Sequence, residues 1–205
     1  MKKTLFLLLL IIFPTKTFAL IKVDITRGNL NPLPIAVSPL SIDENSRKSF
    51  EKILKKKNIG SDISTVVEKN LKTSGLFNPL NKDAFLQAPD IANLKPRFED
   101  WNLIKAQALI TGKVNFVDDK LRVEFRLWDV LAGKEMMALA FTTVPQNWRR
   151  VGHIITDKVY ERLTGEKGYF DTRIIYVAEE GPKTRRIKKL AIMDQDGFNT
   201  KYLTL

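Results

Sequence analysis

Residues 106–143 read AQALITGKVNFVDDKLRVEFRLWDVLAGKEMMALAFTT, three apolar runs separated by two polar breaks. In the middle run, apolar and polar side chains alternate from Leu121 to Trp128. A period of two predicts a β-strand with one buried face and one solvated face. The breaks at Asp118-Asp119 and Ala132-Gly133-Lys134 are typical of tight turns. The three runs therefore predict an antiparallel meander whose apolar face needs a cover.

Helical patterns on both sides of the meander supply this cover. Apolar residues recur there at helical spacing, with charged residues on the opposite side of each predicted helix. A short apolar strand is predicted at Ile35-Ala36-Val37, ahead of the first helix. The predicted fold is α+β, with helices packed on one face of a small mixed sheet. The predicted helices are Ser46–Lys57 ending at Gly60, a second from Ser61 or Asp62 to Gly75, Arg97–Ile104 carrying Phe98 and Trp101 onto the sheet, and Pro145–Gly165.

The first nineteen residues are typical of a secretory signal peptide. Lys2 and Lys3 are followed by the apolar run Leu5–Phe13, which is too short to span a bilayer, and Thr17-Phe18-Ala19 favours cleavage after Ala19. An uncleaved anchor is the alternative. The chain has no cysteine, which excludes disulfides, thiol nucleophiles, cysteine metal sites and a lipid-attachment cysteine. These features predict an exported, soluble product.

Composition is that of a folded and strongly basic protein. The 205 residues suggest one or two domains, 44% of them are hydrophobic, and the net charge is +11. Basic proteins often meet nucleic acid or membranes, but an exported protein rarely meets nucleic acid, so no nucleic-acid partner is expected. The basic clusters Arg47–Lys57 and Lys183–Lys189 lack interleaved aromatic residues. They are interpreted as solvated surface, with an acidic protein or an anionic lipid surface as the alternative.

The segment Leu20–Arg27, LIKVDITR, alternates apolar and polar residues and is competent to form a strand. Residues 28–34 contain glycine and two prolines and predict an irregular tether. Two interpretations follow from the residues alone. The segment is an edge strand of the domain, or it is a detachable strand that pairs with the sheet edge of a partner.

After Gly168, three short strands are predicted with no helix to cover them: Arg173–Ala178, Lys188–Met193 and a strand starting at Lys201. Isolated meanders of this kind expose apolar faces and edges. One blade of a β-propeller has this pattern, and a propeller needs several blades to bury its faces. The prediction is that the chain is the front part of a longer protein. The alternative is that these strands pack on the first domain.

No catalytic constellation is predicted. His153 is the only histidine, and it is expected on the polar side of its helix in an i,i+4 contact with Asp157. The segment Asp194-x-Asp196-Gly197-x-Asn199 differs from a calcium loop in its glycine position and lacks a late glutamate, so a hairpin turn is favoured. A nucleophile elbow and a glycine-rich phosphate loop are both absent from the sequence. We therefore expect no catalytic residue, cofactor or metal.

Four longer motifs carry a resemblance to a known family. LITG at 109–112, RLWDVLAGK at 126–134, YERLTGEKGYFDTRI at 160–174 and LAIMDQDG at 190–197 closely resemble the TolB family of the Tol–Pal cell-envelope system. The resemblance implies an α/β N-terminal domain followed by a six-bladed propeller. This chain would then hold only the first blade of a truncated β-propeller. The expected organisation is a signal peptide at 1–19, a partner-binding strand and tether at 20–34, the α/β domain at 35–168 and the first blade at 169–205.

The family also implies a function. It predicts a non-enzymatic periplasmic adaptor that links TolA at the inner membrane to the peptidoglycan-associated lipoprotein Pal, and supports outer-membrane integrity, constriction in cell division and protein import. The Pal surface would be mostly absent from this chain, and a monomer is expected. The alternative is an exported propeller-containing hydrolase or peptidase whose catalytic part is missing. The residues that the resemblance assigns to TolA binding are Leu20, Ile21, Lys22, Val23, Asp24, Ile25, Thr26 and Arg27.

Overall fold

A computed structural model describes residues 31–204, with residues 92 and 94 described for their backbone only. A six-stranded mixed sheet has the order β3-β1-β4-β5-β6, and β2 pairs with β4. Parallel pairs join β1 to β3 and β4, whereas β4, β5 and β6 form the predicted antiparallel meander. The strands are β1 (Leu33–Val37), β2 (Ser41–Ile42), β3 (Phe77–Pro79), β4 (Ala108–Val117), β5 (Lys120–Asp129) and β6 (Lys134–Thr143).

The turn between β4 and β5 explains the register of the meander. Asp118 and Asp119 have φ angles of 50° and 56°. A two-residue hairpin loop with both residues in the left-handed region matches the twist of the flanking strands. Val114 then pairs with Val123, and the apolar residues of β5 face the core.

Three long helices cover one face of the sheet, as predicted. Their buried residues recur at helical spacing, for example Ile63, Val67 and Leu71, and they join the sheet in a single core. Burial of such side chains contributes about 1.5–3 kcal/mol each. The helices of the described chain are α1 (Glu44–Leu54), α2 (Ile59–Thr73), α3 (Pro89–Leu94), α4 (Phe98–Leu103) and α5 (Trp148–Thr164), of which α1, α2 and α5 form this cover.

The opposite face carries a second, smaller core that the sequence analysis did not predict. Trp101 from α4 is buried there against Ala36 and Leu109. Ala36 lies on this face because its neighbours in β1 point into the main core. The prediction that Trp101 packs onto the sheet is confirmed. Its indole N–H donates to Gln87 Oε1 at 2.7 Å, which fixes the long loop before α4.

Several predicted helix ends are wrong. Helix α1 begins earlier than predicted because Asp43 caps it, and it ends before Gly60, at the left-handed Lys55. Gly60 lies inside α2, where a Cβ atom would be 2.1 Å from the Leu40 carbonyl oxygen. Neither Ser61 nor Asp62 caps α2, which begins at Ile59. Close backbone packing, rather than a helix stop, accounts for this glycine.

The predicted irregular tether also ends too late. Leu33 and Pro34 belong to β1, where they pair with Phe77 and Asn78. The Pro34 carbonyl accepts the N–H of Gln107 at 3.0 Å. Pairing on both sides of β1 therefore overrides the local effect of the proline.

A second sheet follows the long C-terminal helix. Helix α5 ends at Gly165 with a φ of 84°, as predicted. The three-stranded antiparallel sheet contains β7 (Arg173–Glu180), β8 (Ile187–Asp194) and β9 (Lys201–Tyr202), in the order β7-β8-β9. Within residues 31–204, none of the helices combines the length and apolar character needed to cross a bilayer.

Candidate functional site: the polar junction

A cluster of buried and half-buried polar side chains lies where the β8–β9 turn meets α2 and α5. A cleft of about 600 Å³ opens beside it, lined by polar and charged side chains such as Arg150, Asp171, Arg173 and Asp194. We call the set Asn70, Arg149, His153, Gln195 and Asp196 the polar junction. Its members come from α2, α5 and the turn, so it exists only when the second sheet is docked on the helices.

Arg149 and Asp196 form the ion pair of the polar junction. The guanidinium of Arg149 hydrogen-bonds the Asp196 carboxylate, and the two side chains are only 13% and 18% exposed. The guanidinium carbon also lies 3.5 Å from the ring centroid of Phe198. Stacking on an aromatic face and pairing with a carboxylate together hold the β8–β9 turn against α5.

His153 is buried, which contradicts its predicted place on the polar surface of its helix. It is 2% exposed, because α2 and the β8–β9 turn cover this part of α5. Its Nδ1 atom is 2.9 Å from Asn70 Nδ2, and its Nε2 atom is 3.7 Å from Asp196 Oδ2. Nε2 is buried and has no hydrogen-bond partner.

The hydrogen bonds of Asn70 determine which imidazole nitrogen carries the proton. Asn70 Oδ1 accepts the Gln195 amide at 3.0 Å, and Asn70 Nδ2 donates to Thr156 Oγ1 at 3.2 Å. Thr156 gives its own proton to the Gly152 carbonyl, so its oxygen can only accept. Asn70 therefore presents an N–H to His153, Nδ1 is the acceptor, and the proton of the neutral ring lies on Nε2.

Burial lowers the pKa of His153 below its ordinary value of 6.5. The Asp196 carboxylate acts in the opposite direction, and the Arg149 guanidinium adds to the lowering. Desolvation disfavours the charged form of a buried imidazole. The ring is therefore neutral at pH 7.

Asp157, the predicted partner of His153, has a different role. Its carboxylate accepts the backbone N–H of Phe170 at 2.7 Å and that of Asp171 at 3.1 Å. Asp171 in turn receives Arg150 through Nε at 3.0 Å. The segment that leads from α5 to β7 is thus fixed by charged groups on α5.

The grouping of His153, Asp194 and Asp196 resembles a metal site in its distances only. One ligand atom from each lies within 4.8 Å of the others. The positive charge beside Asp196 is already supplied by Arg149, and Nε2 of His153 carries a proton. Gly197 donates its N–H to the Asp194 carbonyl at 2.9 Å, which is the predicted hairpin turn. Arg173 lies 3.8 Å from Asp194, so each of the two carboxylates already has an arginine beside it.

The predicted partner-binding residues, Leu20–Arg27, lie outside the described residues. The sequence analysis missed Asn70, Arg149 and Gln195. Asn70 offered a signal, because it occupies a position of the buried α2 stripe that Ile63 and Val67 define. An amide on such a stripe indicates a buried hydrogen-bond network.

Comparisons with known proteins agree with this architecture. A family model described as the TolB amino-terminal domain matches residues 21–136. The Tol-Pal system protein TolB of Pelagibacter ubique (strain HTCC1062) is 83% identical over 198 residues, a match that covers 97% of this chain and 44% of that relative. This chain therefore spans less than half of the relative's length.

A solved structure shares the fold. The crystal structure of TolB from Acinetobacter baumannii superposes with a TM-score of 0.67 and 24% sequence identity, covering 90% of this chain and 42% of that chain. This likeness concerns the fold alone, whereas the family model rests on the sequence of more than half of the chain. The chain belongs to the TolB family.

Proposed function

We propose that this chain is the N-terminal portion of a non-enzymatic, periplasmic adaptor of the Tol–Pal system. The observation that carries the proposal is the match of residues 21–136 to the TolB amino-terminal domain, together with 83% identity to a Tol-Pal system protein. The adaptor would link TolA at the inner membrane to Pal, and support outer-membrane integrity, constriction in cell division and protein import. The signal peptide would direct export and would be cleaved after Ala19.

The proposed contact with TolA is β-augmentation by Leu20–Arg27. Ile21, Val23 and Ile25 would point to one face of the added strand, while Lys22 and Asp24 point to the other. Main-chain hydrogen bonds would supply affinity, and pockets for the alternate side chains would supply specificity. Mass action between a strand paired within the chain and a released strand would set the fraction available to TolA.

Binding to purified TolA by calorimetry tests this contact. Deleting residues 20–27 should abolish binding and leave the circular dichroism spectrum unchanged. A triple serine substitution of Ile21, Val23 and Ile25 should weaken binding by at least about tenfold, because each apolar side chain contributes roughly 1 kcal/mol or more. The matched control replaces Lys22, Asp24 and Thr26 with serine and should retain most of the affinity. Unchanged affinity in the deletion would refute the contact.

The same proposal makes residues 169–205 the first blade of a propeller that continues beyond this chain, after an α/β domain at 35–168. Support comes from the second sheet, which exposes apolar side chains on both faces. Ile175 and Val177 share one face and are 62% and 57% exposed, while Ile174 and Tyr202 on the other are 41% and 60% exposed. A propeller blade is covered on both faces by its neighbours.

Cysteine labelling tests the blade, since the chain has no cysteine of its own. Val177→Cys should react rapidly in the 205-residue chain and at least about tenfold more slowly in a chimera that adds the remaining length of the 83% identical relative. Lys183→Cys, in the exposed β7–β8 loop, should react equally in both. Equal labelling of Val177→Cys in the two proteins would overturn the blade assignment.

A further inference from the structure

The polar junction connects the second sheet to the helices through a series of hydrogen bonds from Gln195 to Asn70 to His153, in which His153 is the only titratable residue. Gln195 donates to Asn70, and Asn70 donates to His153 Nδ1. On the far side of the same ring, Nε2 lies 3.7 Å from Oδ2 of Asp196, which belongs to the same turn as Gln195. His153 is therefore connected to the β8–β9 turn on both sides of its ring. Nδ1 reaches Gln195 through the Asn70 amide, and Nε2 lies near the Asp196 carboxylate.

Adding a proton to His153 breaks this series of hydrogen bonds at one atom, Nδ1. Nε2 already carries a proton, so the second proton must bind at Nδ1. Nδ1 then faces the N–H of Asn70 as donor against donor. Turning the Asn70 amide would offer Oδ1 to Nδ1–H, but it would set Nδ2 against the Gln195 amide, so the hydrogen bond from the β8–β9 turn would be lost.

The charges around the ring oppose one another. From the β8–β9 turn and the end of β8, Asp196 and Asp194 favour the imidazolium, as does Asp171 before β7. From α5, Arg149 opposes it, and Arg150 is already paired with Asp171. Helix α2 presents the uncharged Asn70. Asp196 cannot respond freely to a new positive charge, because Arg149 holds it and Nε2 remains 3.7 Å away.

We propose that His153 is a proton-sensitive latch: with a neutral ring it holds the β8–β9 turn on α2 and α5, and protonation at Nδ1 releases the turn. The latch is a property of the fold of residues 31–204 and does not depend on which partners the protein binds. It couples the position of the second sheet to acidity in the range in which histidine titrates.

The sign of the effect follows from linkage. Burial lowers the pKa of His153, and release of the turn would expose the ring to water and raise that pKa toward its ordinary value of 6.5, so the docked state binds the proton less readily than the released state. Docking is therefore at full strength above about pH 6.5 and weakens as the pH falls below it. The loss continues to the lower pKa of the docked ring, by about tenfold in the docking equilibrium for each pH unit between the two values.

Nuclear magnetic resonance of the whole chain tests the latch directly. His153 is the only histidine, so one imidazole resonance reports its titration. Hydrogen-exchange protection of the Gln195 side-chain amide, which donates to Asn70 of α2, reports docking of the turn, and that of the Val123 and Phe125 backbone amides reports the α/β core. We expect turn protection to fall by at least about fivefold between pH 7.5 and 5, with the fall beginning near pH 6.5 and levelling off once the imidazole has titrated, while core protection is unchanged. Imidazole titration without loss of turn protection would overturn the proposal.

A substitution supplies the second arm. His153→Gln can accept from Asn70 and donate toward Asp196 but does not titrate, so its turn should stay protected down to pH 5. Lys158→Gln, which removes an exposed ion pair with Glu161 on the same helix, should lose turn protection over the same pH range as the wild-type chain. An acid transition that persists in His153→Gln would refute the latch. If that variant does not fold, the wild-type chain still decides, because the fall in turn protection must level off over the pH range in which the imidazole titrates.

Discussion

Asp157 in α5 accepts the backbone N–H of Phe170 through Oδ1 at 2.7 Å. Its second oxygen accepts the N–H of Asp171, and Gly168 lies so close that a Cβ atom there would be 2.4 Å from the carboxylate. One carboxylate thus satisfies two backbone donors at the point where the chain leaves the helical layer. This arrangement fixes the backbone at Phe170, whose side chain is fully buried.

Replacing Asp157 should loosen this crossing. Asp157→Ala removes two charge-assisted hydrogen bonds, and we expect it to lower the free energy of unfolding by about 3 kcal/mol. Asp157→Asn keeps one acceptor oxygen and should lose about half as much. Urea denaturation followed by circular dichroism measures both. The exposed Lys158→Ala in the same helix is the control, and an equal small loss in all three variants would contradict the role of Asp157.

The cap of α1 predicts a contribution to acid stability. Asp43 accepts the N–H of Ser46 at 2.9 Å and its hydroxyl at 2.6 Å, and the Ser46 oxygen accepts the N–H of Phe116 in β4. The hydrogen bonds from the Ser46 side chain and backbone lower the pKa of Asp43 below 3.8. This stability is therefore present above the unfolded value and is lost as the pH falls through the folded pKa.

Asp43→Ala should cost about 1 kcal/mol at pH 7. Asp43→Asn can still cap the helix but cannot titrate, so its Tm should fall less steeply with acid below about pH 4. Thermal unfolding from pH 7 to 2.5 measures the difference between the wild-type chain and each variant. A difference between wild type and Asp43→Ala that stays constant down to pH 2.5 would show that the carboxylate makes no such contribution.

The meander was predictable because its information is local. Alternation from Leu121 to Trp128 and the acidic turn at Asp118-Asp119 fix strand type, register and direction within 38 residues. The parallel pairing of β1 with β3 was not predictable, because it joins Leu33 to Phe77 across two helices. The prediction that His153 lies on the polar surface was wrong for the same reason, since Asp196, which helps to cover it, comes 43 positions later in the chain. Patterns along a helix do not report such distant contacts.

Gly60 offers a test of close backbone packing. Gly60→Ala improves helix propensity by about 1 kcal/mol, but its Cβ atom would meet the Leu40 carbonyl oxygen at 2.1 Å. Displacement of backbone by an overpacked side chain typically costs about 1–3 kcal/mol. We expect net destabilisation, measured as a lower urea midpoint with an unchanged m-value. The neighbouring exposed Ser61→Ala should change stability little, and a stabilised Gly60→Ala would show that the Leu40 backbone and α2 can move apart without penalty.

The second core predicts an energetic coupling between Gln87 and Trp101. Gln87 Oε1 accepts the Trp101 indole N–H at 2.7 Å and the backbone N–H of Arg97 at 2.9 Å, and Gln87 is 5% exposed. Gln87→Ala leaves the buried indole N–H of Trp101 and the part-buried N–H of Arg97 without this acceptor, and should cost about 2–3 kcal/mol. Trp101→Phe keeps an aromatic ring but removes the indole donor.

A double-mutant cycle isolates the bond. In the Trp101→Phe background, Gln87→Ala should cost less by about 1 kcal/mol or more, because only the Arg97 donor then loses its partner. Urea denaturation of the four proteins gives the coupling energy. Leu86→Ala, an exposed neighbour in the same loop, should show no coupling with Trp101→Phe. Additive costs for Gln87→Ala and Trp101→Phe would mean that the amide stabilises the loop through Arg97 alone, and that the indole is held by packing against Ala36 and Leu109.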